Sequence, residues 1–451
     1  MRSCWRRTKT GFIICDAKSE IRIYPMNHVI LLNIVGLSPR HFERPELIPN
    51  LAKLACRPLK PTFPAVTCSV QASLLSGTTP DVHGIVANGF YDRDTCEVKF
   101  WEQSNALVQA PRLWDLLKAK NPDCKTAVLF WQNSMFINSD IIVTPRPLHL
   151  DSGMVQWCYS KPAGYYEEVA AAIGDFKLQH YWGPVAGLGS SQWIAKCARY
   201  TWEKHRPNFL AVYLPHLDYS SQKFGPDSPQ ARLALREIDG VVGDLLKIEA
   251  TTIVCSEYAL TPVQRPIYPN RLLRKAGLLR VREIAGKEYL DYELSDAFAM
   301  VDHQIAHIYC KPTVVDAVRG ILASAHPVDF AHIQHPRAGE LIAVAPADEW
   351  FAYYWWDDWA KAPEFAYFVD IHRKPGYDPC ELWFDWRRMA RTFKPQTATD
   401  PTLVKGSHGR VDADPRSWAV LLLDEKAAAH APPGEQASVL DIAPLISRLL
   451  A

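Results

Sequence analysis

Five short runs of nearly uninterrupted apolar and β-branched residues constrain this chain more than any other feature: HVILLNIV (28–35), TAVLFW (126–131), NFLAVYL (208–214), TTIVCSE (251–257) and WAVLLLD (418–424). A strand with one wet face alternates polar and apolar residues, whereas runs without alternation read as strands buried on both faces, as in parallel sheets. Between them, TCSVQASLLSG (67–77), SQWIAKCARYTWEK (191–204) and SPQARLALREIDGVVGDLLKIE (228–249) carry a helical period, and PNLAKLA (49–55) reads the same way. Strand and helix in alternation predict an α/β fold, a mostly parallel central sheet sandwiched by helices, with ligands at the carboxyl ends of the strands. Between about 262 and 400 the texture changes to Pro-, Trp- and Tyr-rich sequence such as EWFAYYWWDDWAKAPEF. That stretch reads as an inserted cap beside the active face, or as an irregular part of the main domain. The expected organisation is a core of 26–261 and 401–451, an insertion over 262–400, and a poorly ordered extension or upstream start over 1–25.

Charge and cysteine usage exclude several classes. Lys and Arg number 50 against 49 Asp and Glu, so no bulk charge holds the chain to nucleic acid or to an acidic membrane. With 48% hydrophobic and 22% charged residues the composition is that of a globular protein with a large core. The apolar run Phe12 to Cys15 is too short for a signal sequence or a membrane span, and no later segment is long enough. Eleven cysteines without a CxxC pair suggest neither a zinc ribbon nor a disulfide framework, and free thiols in apolar runs favour a reducing, cytoplasmic location. Dinucleotide, Walker, GxSxG and HExxH signatures are absent.

The stretch PTFPAVTCSVQASLLSGTTPDVHGIVANGFYDR (61–93) carries the most chemistry. Thr67 falls where an extended, proline-punctuated segment gives way to a helix, so it is either an ordinary N-cap or a nucleophile at a helix N-terminus, where amides and dipole favour anions. The order of motifs decides between them. LLNIVGL, PNLAKLA, FPAVTCSVQASLLSG, TPDVHGIVANGFYDR, HLDYSSQKFGPDS, SEY and KGSHGR together resemble the nucleotide pyrophosphatase/phosphodiesterase and phosphonoacetate hydrolase branch of the alkaline phosphatase superfamily. The resemblance implies two zinc-like ions across the strand ends and a threonine or serine nucleophile that forms a covalent phospho-enzyme. It implies Thr67 as nucleophile, Asp218 and His408 as ligands of one ion, and Asn88 as donor to a phosphoryl oxygen, a role that competes with a plain Asn-Gly turn. Where the family pattern has its first-strand aspartate this chain has Asn33, where it has the next histidine Gln222, and where it has an Asp-His pair Ser256 and Glu257.

Two further clusters are candidates to replace the lost ligands. VDHQIAHIY supplies Asp302, His303 and His307, with helix and strand both compatible with its spacing; FVDIHRKPGYDP supplies Asp370, His372, Arg373, Lys374, Tyr377 and Asp378. Asp370 and His372 at i, i+2 would share one strand face as a chelating pair. The expected metal ligands are therefore Asp218, His408, Glu257, Asp302, His303, Asp370 and His372, for one or two divalent ions, zinc first and manganese or magnesium next. Asn33, Gln222, Arg373 and Lys374 are expected to bind substrate, with Arg373 and Lys374 as an anion clamp. The reading is a metal-dependent hydrolase cleaving a phosphodiester, pyrophosphate or phosphate of a small molecule through Thr67. The alternative is a pseudoenzyme that keeps the fold for binding or scaffolding. A sulfatase-like reading ranks below both, because TCSVQ lacks a CxPxR signature. Convergence of the Asp302 and Asp370 clusters on Thr67 discriminates between the first two.

Overall fold

Nine strands form the central sheet. From one edge to the other they are Cys158–Lys161, Ile141–Pro145, Thr126–Leu129, Phe209–Leu214, Val29–Ile34, Thr251–Cys255, Ala419–Leu423, Ala55–Lys60 and Ala437–Ser438. The five from Ile141–Pro145 to Thr251–Cys255 run parallel, with Leu31 level with Ala211 on one side and Ile253 on the other. Cys158–Lys161 and Ala419–Leu423 pair antiparallel at either side of that block. All five apolar runs are strands of this sheet, and every residue of Val29–Ile34, Phe209–Leu214 and Thr251–Cys255 is buried, as unalternated sequence requires. The computed structural model describes residues 27–151 and 153–451, and the backbone of three N-terminal strands, Cys4–Thr8, Gly11–Cys15 and Arg22–Tyr24, which pair only with one another. The rest of the expected 1–25 extension lies outside the described residues.

Helices Leu188–His205 and Pro229–Leu245 pack on each other, and the former on Phe209–Leu214. One expected helix is different. PNLAKLA forms only a 3-10 turn, Leu51–Lys53, and the chain then enters the strand Ala55–Lys60, whose mixed sequence ACRPLK hid it. Its proline lies in register with Val420, where a largely solvent-exposed strand near the sheet edge tolerates it.

Residues of the 262–400 stretch build a second, antiparallel sheet in the order Ala297–Asp302, Ile305–Cys310, Leu341–Val344, Asp329–Ala331. The aromatic block is core: Trp350, Tyr353, Tyr354, Trp355 and Trp356 are each at most 1% exposed and form a separate apolar cluster. Asn270 fastens this unit. Its buried amide donates to the carbonyls of Ala299 and Tyr353, both at 2.9 Å, and accepts from the Ala299 amide at 2.8 Å. Asn270→Ala strands three buried backbone groups, so urea denaturation is expected to show a loss of about 2–3 kcal/mol.

Candidate active site

The parallel strands deliver their carboxyl ends to one edge of the sheet, and the candidate residues gather there. Asn33 closes the strand Val29–Ile34, Asp218 lies in the helix His216–Phe224 after Phe209–Leu214, and Glu257 and Tyr258 follow Thr251–Cys255. Thr67 opens the helix Thr67–Ser76. The N-cap position is Val66, so Thr67 is not a cap; its hydroxyl is 3.0 Å from the Tyr258 phenol. Above it lies a cavity of about 900 Å3, whose lining includes Thr67, Asp218, Tyr258, His303 and Tyr377.

Primary amides surround the buried carboxylates. Asn33 and Gln71 both donate to Glu257 Oε1 at 2.6 Å, and the Gln71 carbonyl accepts from the Gln132 amide at 2.7 Å, which fixes its orientation. Gln222 donates to Asp218 Oδ2 at 2.6 Å and accepts from the Tyr377 phenol at 2.6 Å. Burial drives the Glu257 carboxyl from 4.5 to about 8, against the pull of Gln71, Asn33 and Thr67, and drives Asp218 from 3.8 to about 7. Four rings stack across the site: Tyr258 on His408 at 3.5 Å, His408 on His303 at 3.7 Å, His303 on Tyr377 at 3.6 Å. Burial holds both imidazoles neutral. His408 Nδ1 faces the Ala65 carbonyl at 2.9 Å, which only accepts, so Nδ1 carries the hydrogen and Nε2 offers a lone pair.

These residues do not make up the two-ion site that the family resemblance implies. Four buried acceptors at implied ligand positions lack a partner: Asn33 Oδ1, Glu257 Oε2, Asp218 Oδ1 and His408 Nε2. They leave two donors for each ion, one of them a neutral amide, whereas a catalytic zinc takes three protein ligands. Among the described residues no group of three or more His, Cys, Asp and Glu is assembled to hold a metal. The SEY segment also reads one position out. Ser256 turns into the sheet, donating to the Leu37 carbonyl at 2.6 Å and accepting from the Val420 amide at 2.9 Å. The pair presented to the site is Glu257 and Tyr258. Matching carboxylate to carboxylate and ring to ring would have found Tyr258, and the i, i+4 spacing from Thr67 would have found Gln71.

The two added clusters part company. Asp302 and His303 reach the site, at the tip of a hairpin between Ala297–Asp302 and Ile305–Cys310, where His303 takes a left-handed φ of 61°. Asp302 does not face an ion: it accepts from the Asn88 backbone and side-chain amides at 2.8 and 3.0 Å and pairs with His303 Nδ1 at 2.7 Å. Asn88 in turn accepts from the Cys68 amide at 2.8 Å, so its side chain sits next to Thr67 but its amide group is already engaged. His307 points away, between the Val86 carbonyl and the Gly339 amide. Asp370 and His372 are in a turn, not a strand, and do not chelate: Asp370 pairs with Arg373, and His372 bonds the Phe100 carbonyl at 3.0 Å. All three line the outer cavity. Lys374 is no anion clamp, because it is buried between Asp378 at 2.9 Å and Glu381 at 2.5 Å. Glu381 also accepts from the cavity-lining Trp182 at 2.5 Å, so this ion network holds the cavity wall.

The Thr67 edge lies at the carboxyl end of a mostly parallel sheet, and comparison places this fold. The chain belongs to the type I phosphodiesterase/nucleotide pyrophosphatase family, whose model matches residues 29–378. An uncharacterised pyrophosphatase/phosphodiesterase of Schizosaccharomyces pombe is 25% identical over 278 residues, 58% of this chain and 49% of that protein. Human ectonucleotide pyrophosphatase/phosphodiesterase family member 1 is 25% identical over 210 residues, 44% of this chain and 19% of that protein. The chain thus spans half or less of these relatives' lengths. Among solved structures, phosphonoacetate hydrolase from Sinorhizobium meliloti, in complex with phosphonoformate, superposes with a TM-score of 0.61 at 15% identity, covering 100% of both chains. An inactive threonine-to-alanine variant of murine ectonucleotide pyrophosphatase/phosphodiesterase 5, in complex with AMP, gives 0.56 at 15% identity over 94% of this chain and 95% of that one.

Two measurements check this geometry. Ser256→Ala removes a strand-to-strand bridge and is expected to cost about 1–2 kcal/mol of stability while leaving ligand affinity in the cavity unchanged. A carboxyl whose pKa is raised in the fold gives its full stability below the unfolded value and loses it as pH rises to the folded value, here from 4.5 to about 8 for Glu257. Glu257→Gln should therefore gain on the wild type by about 3–4 kcal/mol between pH 5 and pH 8 in denaturant titrations. An unchanged difference across that range would refute the buried, protonated carboxyl.

Proposed function

We propose that this chain hydrolyses a phosphoryl ester of a small molecule with a large apolar portion, using Thr67 as nucleophile and no metal-borne step. One observation carries the reading: Thr67 opens a helix at the foot of the cavity, with its hydroxyl on Tyr258 and beside Glu257, whose second oxygen has no partner. In the ionised form Glu257 takes the Thr67 proton as the oxygen forms its bond to phosphorus. The bond to the leaving oxygen breaks, and that oxygen takes a proton from Asp218, whose free Oδ1 makes it the available acid. Water then releases the phosphoryl group from Thr67 by the same transfers in reverse. A pKa near working pH suits both proton-transfer roles. The helix N-terminus supplies positive potential for the phosphoryl group. Trp101, Trp182, Val185 and Phe368 in the lining suit an apolar substituent.

The family, and neighbours solved with phosphonoacetate and with AMP, support a phosphorylated ligand. A second reading, binding without turnover, is favoured by the amides of Asn33, Gln71 and Gln222 occupying the carboxylate lone pairs. Turnover of a chromogenic phosphodiester by chelator-treated protein separates them, with AMP binding measured by calorimetry. Hydrolysis is expected, with a rate maximum between pH 7 and 8 set by Asp218 and Glu257, and Thr67→Ala should lose at least about a hundredfold while still binding. Binding of AMP with no turnover at any pH establishes the second reading instead.

A further inference from the structure

The two most exposed large apolar side chains among the described residues are Phe393, at 92%, and Trp386, at 67%, and they lie in one segment, WRRMARTFKP, residues 386–395. The helix Trp386–Thr392 sets them two turns apart, and Phe393 ends it with a left-handed φ of 56°. The segment holds Arg387, Arg388, Arg391 and Lys394 and no acidic residue. The neighbouring Asp385 is occupied as N-cap, accepting from the Arg388 amide at 2.9 Å. Lys223 adds to the patch, its ammonium 5.6 Å from the Trp383 ring and 5.7 Å from that of the half-exposed Phe224. The surface is continuous with the cavity mouth. Trp386 packs on Phe384 at 4.7 Å, Phe384 lines the cavity, and Met154, Val185 and Val369 line the same cavity while 50%, 47% and 45% exposed.

We propose that this segment docks the protein on an anionic lipid bilayer, bringing the cavity mouth to the lipid surface. Singly projecting aromatic rings interleaved with arginine and lysine suit the headgroup region, where the rings reach the acyl boundary and the cations meet lipid phosphates. The segment's charge is complementary to such a surface although the whole chain carries a net charge of only +1. Both rings are largely exposed and flanked by cations, the arrangement of membrane-interface aromatics, which favours a bilayer over an acidic protein. The proposal is independent of turnover at Thr67.

Co-sedimentation of the full chain with phosphatidylcholine vesicles, with and without phosphatidylserine, tests it. The wild type is expected to bind the phosphatidylserine vesicles and to be released by salt. The triple variant Arg387→Gln/Arg391→Gln/Lys394→Gln should partition less well by on the order of a hundredfold, and Trp386→Ser/Phe393→Ser should also fail to bind. All five positions are exposed, and unchanged thermal unfolding and AMP binding by the variants would confirm that the fold is retained. Failure of the wild type to bind anionic vesicles overturns the proposal, as does equal binding by the variants. Capture by an acidic polypeptide such as polyglutamate, but not by vesicles, assigns the patch to a protein partner and overturns it equally.

Discussion

A fully buried carboxylate at the end of a parallel sheet must be neutralised, and how Glu257 is neutralised governs the site around it. Two amides and a proton serve where the family resemblance implies cations. Asn33 reaches Glu257 from the adjacent strand end, and Gln71 reaches it from one turn along the Thr67 helix. The bonds that satisfy the carboxyl therefore also fix the Thr67 helix against the sheet. Gln71 passes the constraint on, because its carbonyl holds the Gln132 amide beyond the strand Thr126–Leu129.

The other half of the site is coupled to the second sheet. Asp218 belongs to the core, yet its partner Gln222 is held by Tyr377, from the stretch between 262 and 400. His303, from the tip of the second sheet's hairpin, lies between Tyr377 and His408 in the ring stack. The backbone repeats the connection where the Gln304 amide donates to the His408 carbonyl at 2.8 Å. Displacing the hairpin would thus disturb both carboxylates. Because Asp302 also holds Asn88, and Asn88 accepts from the Cys68 amide in the first turn of the Thr67 helix, the second sheet reaches Thr67 by another route.

Sequence pattern made the sheet legible because burial on both faces leaves an unmistakable run of apolar residues, and each of the five runs is a strand. Ala55–Lys60 escaped because a largely exposed strand near an edge, interrupted by Arg57 and Pro58, has no such run. At the site, Asp218 and Glu257 follow strand ends whose positions the pattern fixes, whereas Thr67 and His408 were reached through motif order alone. The partners were not legible. Gln71 and Gln222 are ordinary helix residues until three-dimensional proximity makes them donors, and Ser256 and Tyr258 exchange roles by one position of strand exit. Asp370, His372 and Lys374 misled because their spacing assumed a strand, and the chain there is a turn bound up by local ion pairs.

Composition hid the surface in a different way. A mean over 451 residues reports near neutrality, which excludes attraction by bulk charge but says nothing of how charges segregate. Electrostatic attraction in salt acts over roughly 10 Å, about the size of one short helix, so a local cluster decides adhesion where the total does not. Arg387, Arg388, Arg391 and Lys394 form such a cluster, placed beside an apolar mouth. The interior of the site, by contrast, presents two carboxyls and no cation of its own at Thr67. Burial raises the pKa of both carboxyls, so each keeps its proton well above the usual carboxylate range. Segregated charge at the mouth and buried acids within are alike invisible to a mean over the chain, because each depends on which residues the fold brings together.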